Sequence, residues 1–388
     1  MEKFILYGTG WEALQFFYRF PERDKIKYVV NSTKTGCLFG HKIVSLDQID
    51  IDSSTDTIIV AAECEAYFEI YKFIRRQNST VKIIWSKLIK GVDDRKCVLI
   101  NANCLRGPIT KFLNNCPSFI RQYRLIDFPA IQLIDSDIVH DYWEVLQYIV
   151  SEIDLYIHQD IKSDNKISYY LSDRFLLQFL KKDARHICIP NFVGFGAPYF
   201  PDITMKESRN FEVLNGEKIT VFANDALIDR AYEKYNSLDE IVSYVMNENN
   251  VDFDSVREAW EHKMNKMKLR DQNWNIKIYD FVEKNYKKHK LFNDEAHPSK
   301  YLLEYVCRKL GNLLNLEEAD HIPFVYDLDW REQFIWPGVK KALALEFTED
   351  NVRSGQGKYF DKLACSELTV KEYIRQYIFW KYEVYLNE

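Results

Sequence analysis

Short, nearly continuous apolar runs separated by amphipathic stretches constrain this chain more than any other feature. Phe4-Ile5-Leu6-Tyr7, Tyr28-Val29-Val30, Thr57-Ile58-Ile59-Val60 and Val81-Lys82-Ile83-Ile84-Trp85 are too short for helices, and they lack the alternation of strands with one wet face. Helical patterns lie between them, over Trp11–Phe20 and Glu65–Arg76. Strands buried on both faces and joined through helices imply a parallel sheet covered on both sides, hence an α/β protein. The alternation restarts at Cys97-Val98-Leu99-Ile100. It predicts a helix near Ile109–Leu113, a strand near Tyr123–Ile126, a helix near Tyr142–Glu152, a strand at Leu155–His158, a helix at Tyr170–Lys181 and a strand at His186–Ile189. A second doubly wound sheet is therefore expected. Beyond it, Ser237–Lys288 reads as mostly helical and highly charged. Ser299–Leu314 reads as a helix with Leu303, Val306, Leu310 and Leu313 on one stripe, and Val370–Tyr385 as a closing helix.

Composition excludes several classes. With 52 Lys and Arg against 58 Asp and Glu, the formal net charge is −6, which argues against a partner bound through phosphate neutralisation; no nucleic acid is expected. No apolar run reaches the roughly 18 residues of a membrane span, and the first residues lead straight into a strand instead of a signal peptide. The 8 cysteines form neither a C-x-x-C pair nor a zinc-spaced Cys/His cluster, so no metal is expected and a reducing cytoplasm suits them.

Two stretches carry chemistry. The first is Gly8-x-Gly10-x-x-Ala13, after a strand and before a helix, where glycines permit a tight turn and the helix start presents free N–H groups to a phosphate. The acid expected about 20 residues later to hold a ribose is replaced by Asn31, which still donates and accepts hydrogen bonds. Gly8, Gly10 and Asn31 are thus candidates for a nucleotide, with a packing-only role as the alternative.

The second is Val98-Leu99-Ile100-Asn101-Ala102-Asn103-Cys104-Leu105-Arg106-Gly107-Pro108. A buried strand ends in small and polar residues, and a helix begins at about Gly107-Pro108. Cys104 falls just ahead of that helix, where anions are stabilised, on the sheet edge where ligands bind in such folds. Its plain alternative is a small buried hydrophobe. Much later, Asp294-Glu295-Ala296-His297-Pro298-Ser299 offers D-x-x-H spacing, close enough for the carboxylate to fix the imidazole and leave its other nitrogen as a base. Both residues also suit helix capping. Asn103, Gln159 and Asn191 are candidate oxyanion donors, and Arg106 is a candidate phosphate contact. Lys263, Lys266, Lys268 and Arg270 could meet phosphates or form a solvated helix face. Trp330, Trp336 and Trp380 are read as core in preference to sugar platforms.

The N-terminal unit, over roughly 3–80, resembles the Rossmann-like domains attached to bacterial sugar-modifying enzymes; Val29-Val30-Asn31-Ser32 partly matches the close of their second strand. Residues 95–316 resemble the WcbI family of capsular polysaccharide biosynthesis acetyltransferases, of SGNH-hydrolase-like fold. The family's glycine-asparagine-cysteine-glutamine turn stands here as Ala102-Asn103-Cys104-Leu105. Ile157-His158-Gln159-Asp160 and Ile189-Pro190-Asn191-Phe192, with Pro198 and Pro201, resemble its glutamine segment and proline-rich loop.

The resemblance implies three parts: a Rossmann-like domain over 1–92, an SGNH-like three-layer α/β/α domain over 93–318 and a helical extension over 319–388. It implies acetyl transfer from coenzyme A to a sugar or nucleotide-sugar hydroxyl, in the cytoplasm. Cys104 and His297 would be the reacting groups, Asp294 would orient His297, and Asn103, Gln159 and Asn191 would stabilise the oxyanion. An esterase or thioesterase of the same fold, and a non-catalytic module binding coenzyme A or a nucleotide-sugar, are the rival readings. A homo-oligomer is compatible with all of them.

Overall fold

The computed structural model describes residues 2–128, 139–140, 143–161, 169–204, 212–214, 217–219, 224–325, 331–348, 351–354, 366–384 and 386. The chain divides into two compact units, Met1–Cys188 and Ile189–Glu388.

The first unit holds two sheets. One contains β1 (Lys3–Tyr7), β2 (Ile26–Val30), β3 (Gly36–Leu38), β4 (His41–Val44), β5 (Asp56–Val60) and β6 (Lys82–Trp85), in the order β3-β4-β2-β1-β5-β6. β1 pairs in parallel with both β2 and β5, and only the β3–β4 hairpin is antiparallel. That hairpin was not expected, because its short strands carry no apolar run. Alternate β1 side chains feed different cores: Phe4 and Leu6 pack on one face with Ala13, Phe16 and Phe20, while Ile5 and Tyr7 pack on the other. Helix α1 (Trp11–Arg19) stops before Pro21, whose ring disfavours helical backbone at Phe20. Phe16 stacks on Phe20 at 4.8 Å, and each buried ring contributes about 1.5–3 kcal/mol. On the opposite face Tyr67, from α2 (Cys64–Gln77), stacks on Trp85 at 5.1 Å.

The other sheet contains β7 (Lys96–Asn101), β8 (Tyr123–Ile126), β9 (Leu155–Gln159) and β10 (Arg185–Ile189), in the order β10-β9-β7-β8, with β7 parallel to both neighbours. Helices α3 (Arg106–Asn114), α4 (Pro117–Gln122) and α5 (Trp143–Ser151) lie between its strands in sequence. One apolar core runs through both sheets, from Ile5, Ile58 and Trp85 to Leu99, Ile149 and Tyr156, so it crosses the expected boundary at 92. The break between units at 188/189 falls inside the expected middle domain. The single helix expected over Tyr170–Lys181 is instead two 3-10 turns around α6 (Asp173–Leu176). Ser172 Oγ donates to Tyr169 O at 2.6 Å and Asp173 N to Ile161 O at 3.2 Å, so both residues bond away from a continuous ladder.

The second unit is mostly helical. Its helices are α7 (Ala226–Lys234), α8 (Leu238–Val245), α9 (Phe253–Asp271), α10 (Tyr279–Asn285), α11 (Lys300–Leu313), α12 (Pro337–Ala342) and α13 (Val370–Tyr382). On α9, Val256, Trp260, Met264 and Met267 form the buried stripe and Asp252 caps its start. Of the expected stripe on α11, Leu303, Val306 and Leu310 are buried and Leu313 is half-buried. The expected helical extension also contains a three-stranded antiparallel sheet, Arg331–Glu332, Asn351–Ser354 and Ser366–Thr369, too short and polar to read from sequence. Trp330 lies outside the described residues. Trp336 is buried and its indole N–H donates to Asp225 at 3.0 Å, a packing role as expected. No helix among the described residues is long and apolar enough to cross a membrane.

Candidate functional site

In the second sheet the chain leaves β7 to form β8 on one side and returns to form β9 on the other. The crevice at the carboxyl ends of β7 and β9 is thus a topological switch point, where open α/β sheets bind ligands. The Cys104 turn leaves β7 there, and Gln159 ends β9 beside it. Gln159, buried to 1% exposure, accepts a hydrogen bond from the Asn103 backbone N–H at 2.9 Å. Asn103 in turn accepts from Leu105 N at 3.1 Å, and its carbonyl accepts from Arg106 N at 2.9 Å, so it caps the turn that becomes α3. The Cys104 thiol sits half-buried, 3.7 Å from Asn103 Oδ1. Among the described cysteines only Cys104 and Cys37 escape full burial. The sheet thus brings Asn103, Cys104 and Gln159 together. Gln159 holds the turn through its oxygen, a positioning role that strand-end reasoning did not anticipate. Arg106 is drawn into an ion pair with Asp127.

The second unit carries the histidine. Asp294 is buried and grips His297 Nδ1 with both oxygens, at 2.7 and 2.9 Å. Its Oδ1 also accepts from the Ala296 and His297 backbone N–H groups, each at 2.8 Å. An ionised carboxylate only accepts, so a proton stands on Nδ1, and in the neutral ring the lone pair is then on Nε2. His297 O accepts from Asn293 N at 2.9 Å and Leu291 O from Ser299 N at 2.8 Å, closing the loop that enters α11. Beneath it, Gly196 donates to Glu295 O at 3.1 Å, and a side chain there would meet Asp294 O at 2.1 Å. Gly196 is a requirement that the sequence reading missed; its signal is the Gly-Phe-Gly of residues 194–196. Asn191 Oδ1 accepts from Val193 N at 3.2 Å, shaping the same loop. Lys263 Nζ approaches Gly194, and burial, followed by Lys266, pulls its ammonium below the usual lysine range against the pull of Glu295. Arg270 instead lies over Phe195 and Trp274, and Lys268 over Tyr279.

At the N-terminal turn, Gly8 has φ +132° and a side chain there would meet Ala61 O at 2.6 Å, so its glycine is dictated by packing against β5. Gly10 faces open space and begins α1. Asn31 donates to Thr9 Oγ1 at 2.9 Å and accepts from Thr33 and Lys34 N–H at 2.9 and 2.8 Å, so both ends of its amide are engaged locally. Glu12 lies in the first turn of α1 beside Glu63, with Lys87 2.6 Å from Glu63 and 3.8 Å from Glu12; burial, then Glu63, pushes the Glu12 carboxyl up. Carboxylates at a helix start oppose a phosphate there.

Parallel sheets with helices between them define an α/β protein. The WcbI family, described as a polysaccharide biosynthesis enzyme, matches residues 97–319. The chain belongs to that family. Among solved structures, a WcbI described as a novel polysaccharide biosynthesis enzyme superposes with a TM-score of 0.54 at 15% identity, over 75% of this chain and 91% of that one. That structure is the native protein without a disulfide bond between coenzyme A and one of its cysteines. No curated protein matches the chain.

Proposed function

We propose that this protein transfers an acyl group, acetyl in the first instance, from coenzyme A to a sugar or nucleotide-sugar hydroxyl in surface polysaccharide assembly. The Asp294–His297 pair carries this reading, because a buried carboxylate holding Nδ1 fixes the ring with Nε2 as its basic nitrogen. Cys104 Sγ attacks the thioester carbonyl while His297 takes its proton and hands it to the coenzyme, which leaves as its thiol. The sugar hydroxyl then attacks the acyl-cysteine, His297 takes the hydroxyl proton, and that proton returns to Cys104 as its thiol departs. The Cys104 backbone N–H, which no acceptor among the described residues engages, is a donor for the oxyanion. Asn103 and Gln159 hold that N–H in place, Asn191 supplies a further amide, and Arg106 and Lys263 are the phosphate contacts. In fold terms the first sheet is read as Rossmann-like and the second as SGNH-like. For Gly8, Gly10 and Asn31 we favour packing over nucleotide binding, since Gly8 and Asn31 already have local partners.

The test is incubation with acetyl-coenzyme A and no acceptor, read by intact and peptide mass. One acetyl group on Cys104, slowed in His297→Ala and absent in Cys104→Ala, is expected. Unmodified Cys104 in a protein that still binds coenzyme A would leave direct attack by a sugar activated by His297. No binding would overturn the reading.

A second reading rests on the partial exposure of Cys104; the related structure is described by coenzyme A and one of its cysteines with no disulfide bond between them. In it the chain binds coenzyme A through Cys104 without turnover. Binding with neither transfer nor thioester hydrolysis would favour it.

A further inference from the structure

A second cluster of reactive side chains lies in the first unit, on the face of its second sheet opposite Gln159. Side chains alternate along a strand, so His158 points away from its neighbour Gln159. Cys188 and His186, two residues apart on β10, share one face. α6 brings Asp173 to His158, whose Nδ1 lies 3.0 Å from Asp173 Oδ2. One donor atom from each of His158, Asp173 and Cys188 falls within 4.8 Å of the others. His158 is 2% exposed, Cys188 8% and the Asp173 side chain 15%. Asp173 Oδ2 also accepts from Ile161 N at 3.3 Å, but Oδ1 is buried and meets no donor. A buried carboxylate oxygen without a partner is costly unless something else binds it.

We propose that His158, Asp173 and Cys188 form a binding site for a thiophilic divalent cation, zinc foremost. Imidazole nitrogen, carboxylate oxygen and thiolate sulfur are zinc's donor types, at about 2.0–2.3 Å. Carboxylate and thiolate together offset the 2+ charge, which leaves a buried site neutral. Binding displaces one proton, from the Cys188 thiol, to solvent. His158 binds through Nδ1, and its Nε2 lies 3.4 Å from His186 Nδ1, the outer hydrogen bond that orients metal-bound histidines. The three ligands come from β9, α6 and β10, so the ion ties α6 to the two strands. It also anchors the end of β9, where Gln159 supports the Cys104 turn.

The full chain, stripped with a chelator and titrated with Co²⁺, should take up about one ion per chain. It should show a thiolate-to-cobalt charge-transfer band that Zn²⁺ bleaches. Cys188→Ser should abolish the band, Cys104→Ser and Cys37→Ser should keep it, and His186→Ala should weaken affinity by roughly 10- to 100-fold. X-ray absorption of the zinc-loaded wild type, expected to show one sulfur neighbour, keeps the test independent of any variant's folding. Absence of uptake, a shell without sulfur, or a band that follows Cys104 instead of Cys188 would overturn the proposal.

Discussion

Asp294 holds His297 with two carboxylate oxygens, 2.7 and 2.9 Å from Nδ1, and uses one of them to gather two backbone N–H groups as well. The same residue therefore shapes the loop and selects the tautomer. Asp294→Asn keeps an oxygen for the backbone but loses the charge that stabilises the imidazolium and can turn an NH2 donor toward Nδ1. Turnover should fall by ~10²–10⁴-fold while the unfolding midpoint changes little. Acetyl transfer at wild-type rate in this variant would dismiss His297 as an oriented base.

Gln159 and Asn103 are linked across the switch point by one buried hydrogen bond. Gln159→Leu leaves the Asn103 N–H unpaired, so the Cys104 turn shifts and alkylation and transfer slow by about tenfold or more. Gln159→Glu, which retains an acceptor, should restore most of the rate. Equal rates for the two variants would show that the bond does not position the turn.

Glycine substitutions should separate the two loops by sterics alone. Gly196→Ala drives a methyl group into Asp294 O and Phe292, so it should cost several kcal/mol, in the upper tail of single substitutions. Gly8→Ala meets Ala61 O at a strained φ and should cost about 1–3 kcal/mol. Gly10→Ser, facing open space at the helix start, should be neutral or slightly stabilising. Denaturant melts of the three variants check this order.

Asp225 is fully buried at the start of α7, accepting from Leu227 and Ile228 N–H and from the Trp336 indole, and loss of hydration pushes its carboxyl up to about 7. The unfolded residue titrates near ~3.9, so between about pH 4 and 7 the folded chain keeps a proton that the unfolded chain has lost. Stability contributed by this group is therefore full below that window and falls as pH rises through it. Thermal melts at pH 5 and 8 should show a drop that is reduced in Asp225→Asn; an unchanged drop would acquit Asp225.

The amino-acid pattern by itself determined the strand–helix alternation, the cysteine at the end of β7 and the D-x-x-H loop. Each depends on residues near in sequence, where side-chain period, turn chemistry and spacing act directly. Only the tertiary structure decided which distant groups meet. Asn103 and Gln159 are 56 residues apart, and neither residue type names the other as its partner. Gly196 is compulsory because a loop almost a hundred residues later packs onto its backbone. His158, Asp173 and Cys188 carry no metal-ligand spacing, since two strands and a short helix supply them. The Tyr170–Lys181 segment has the composition of a helix, yet it breaks where Asp173 is drawn to Ile161 and His158. Local sequence sets what each segment can form, and burial of shared surface between remote segments selects which side chains share a site.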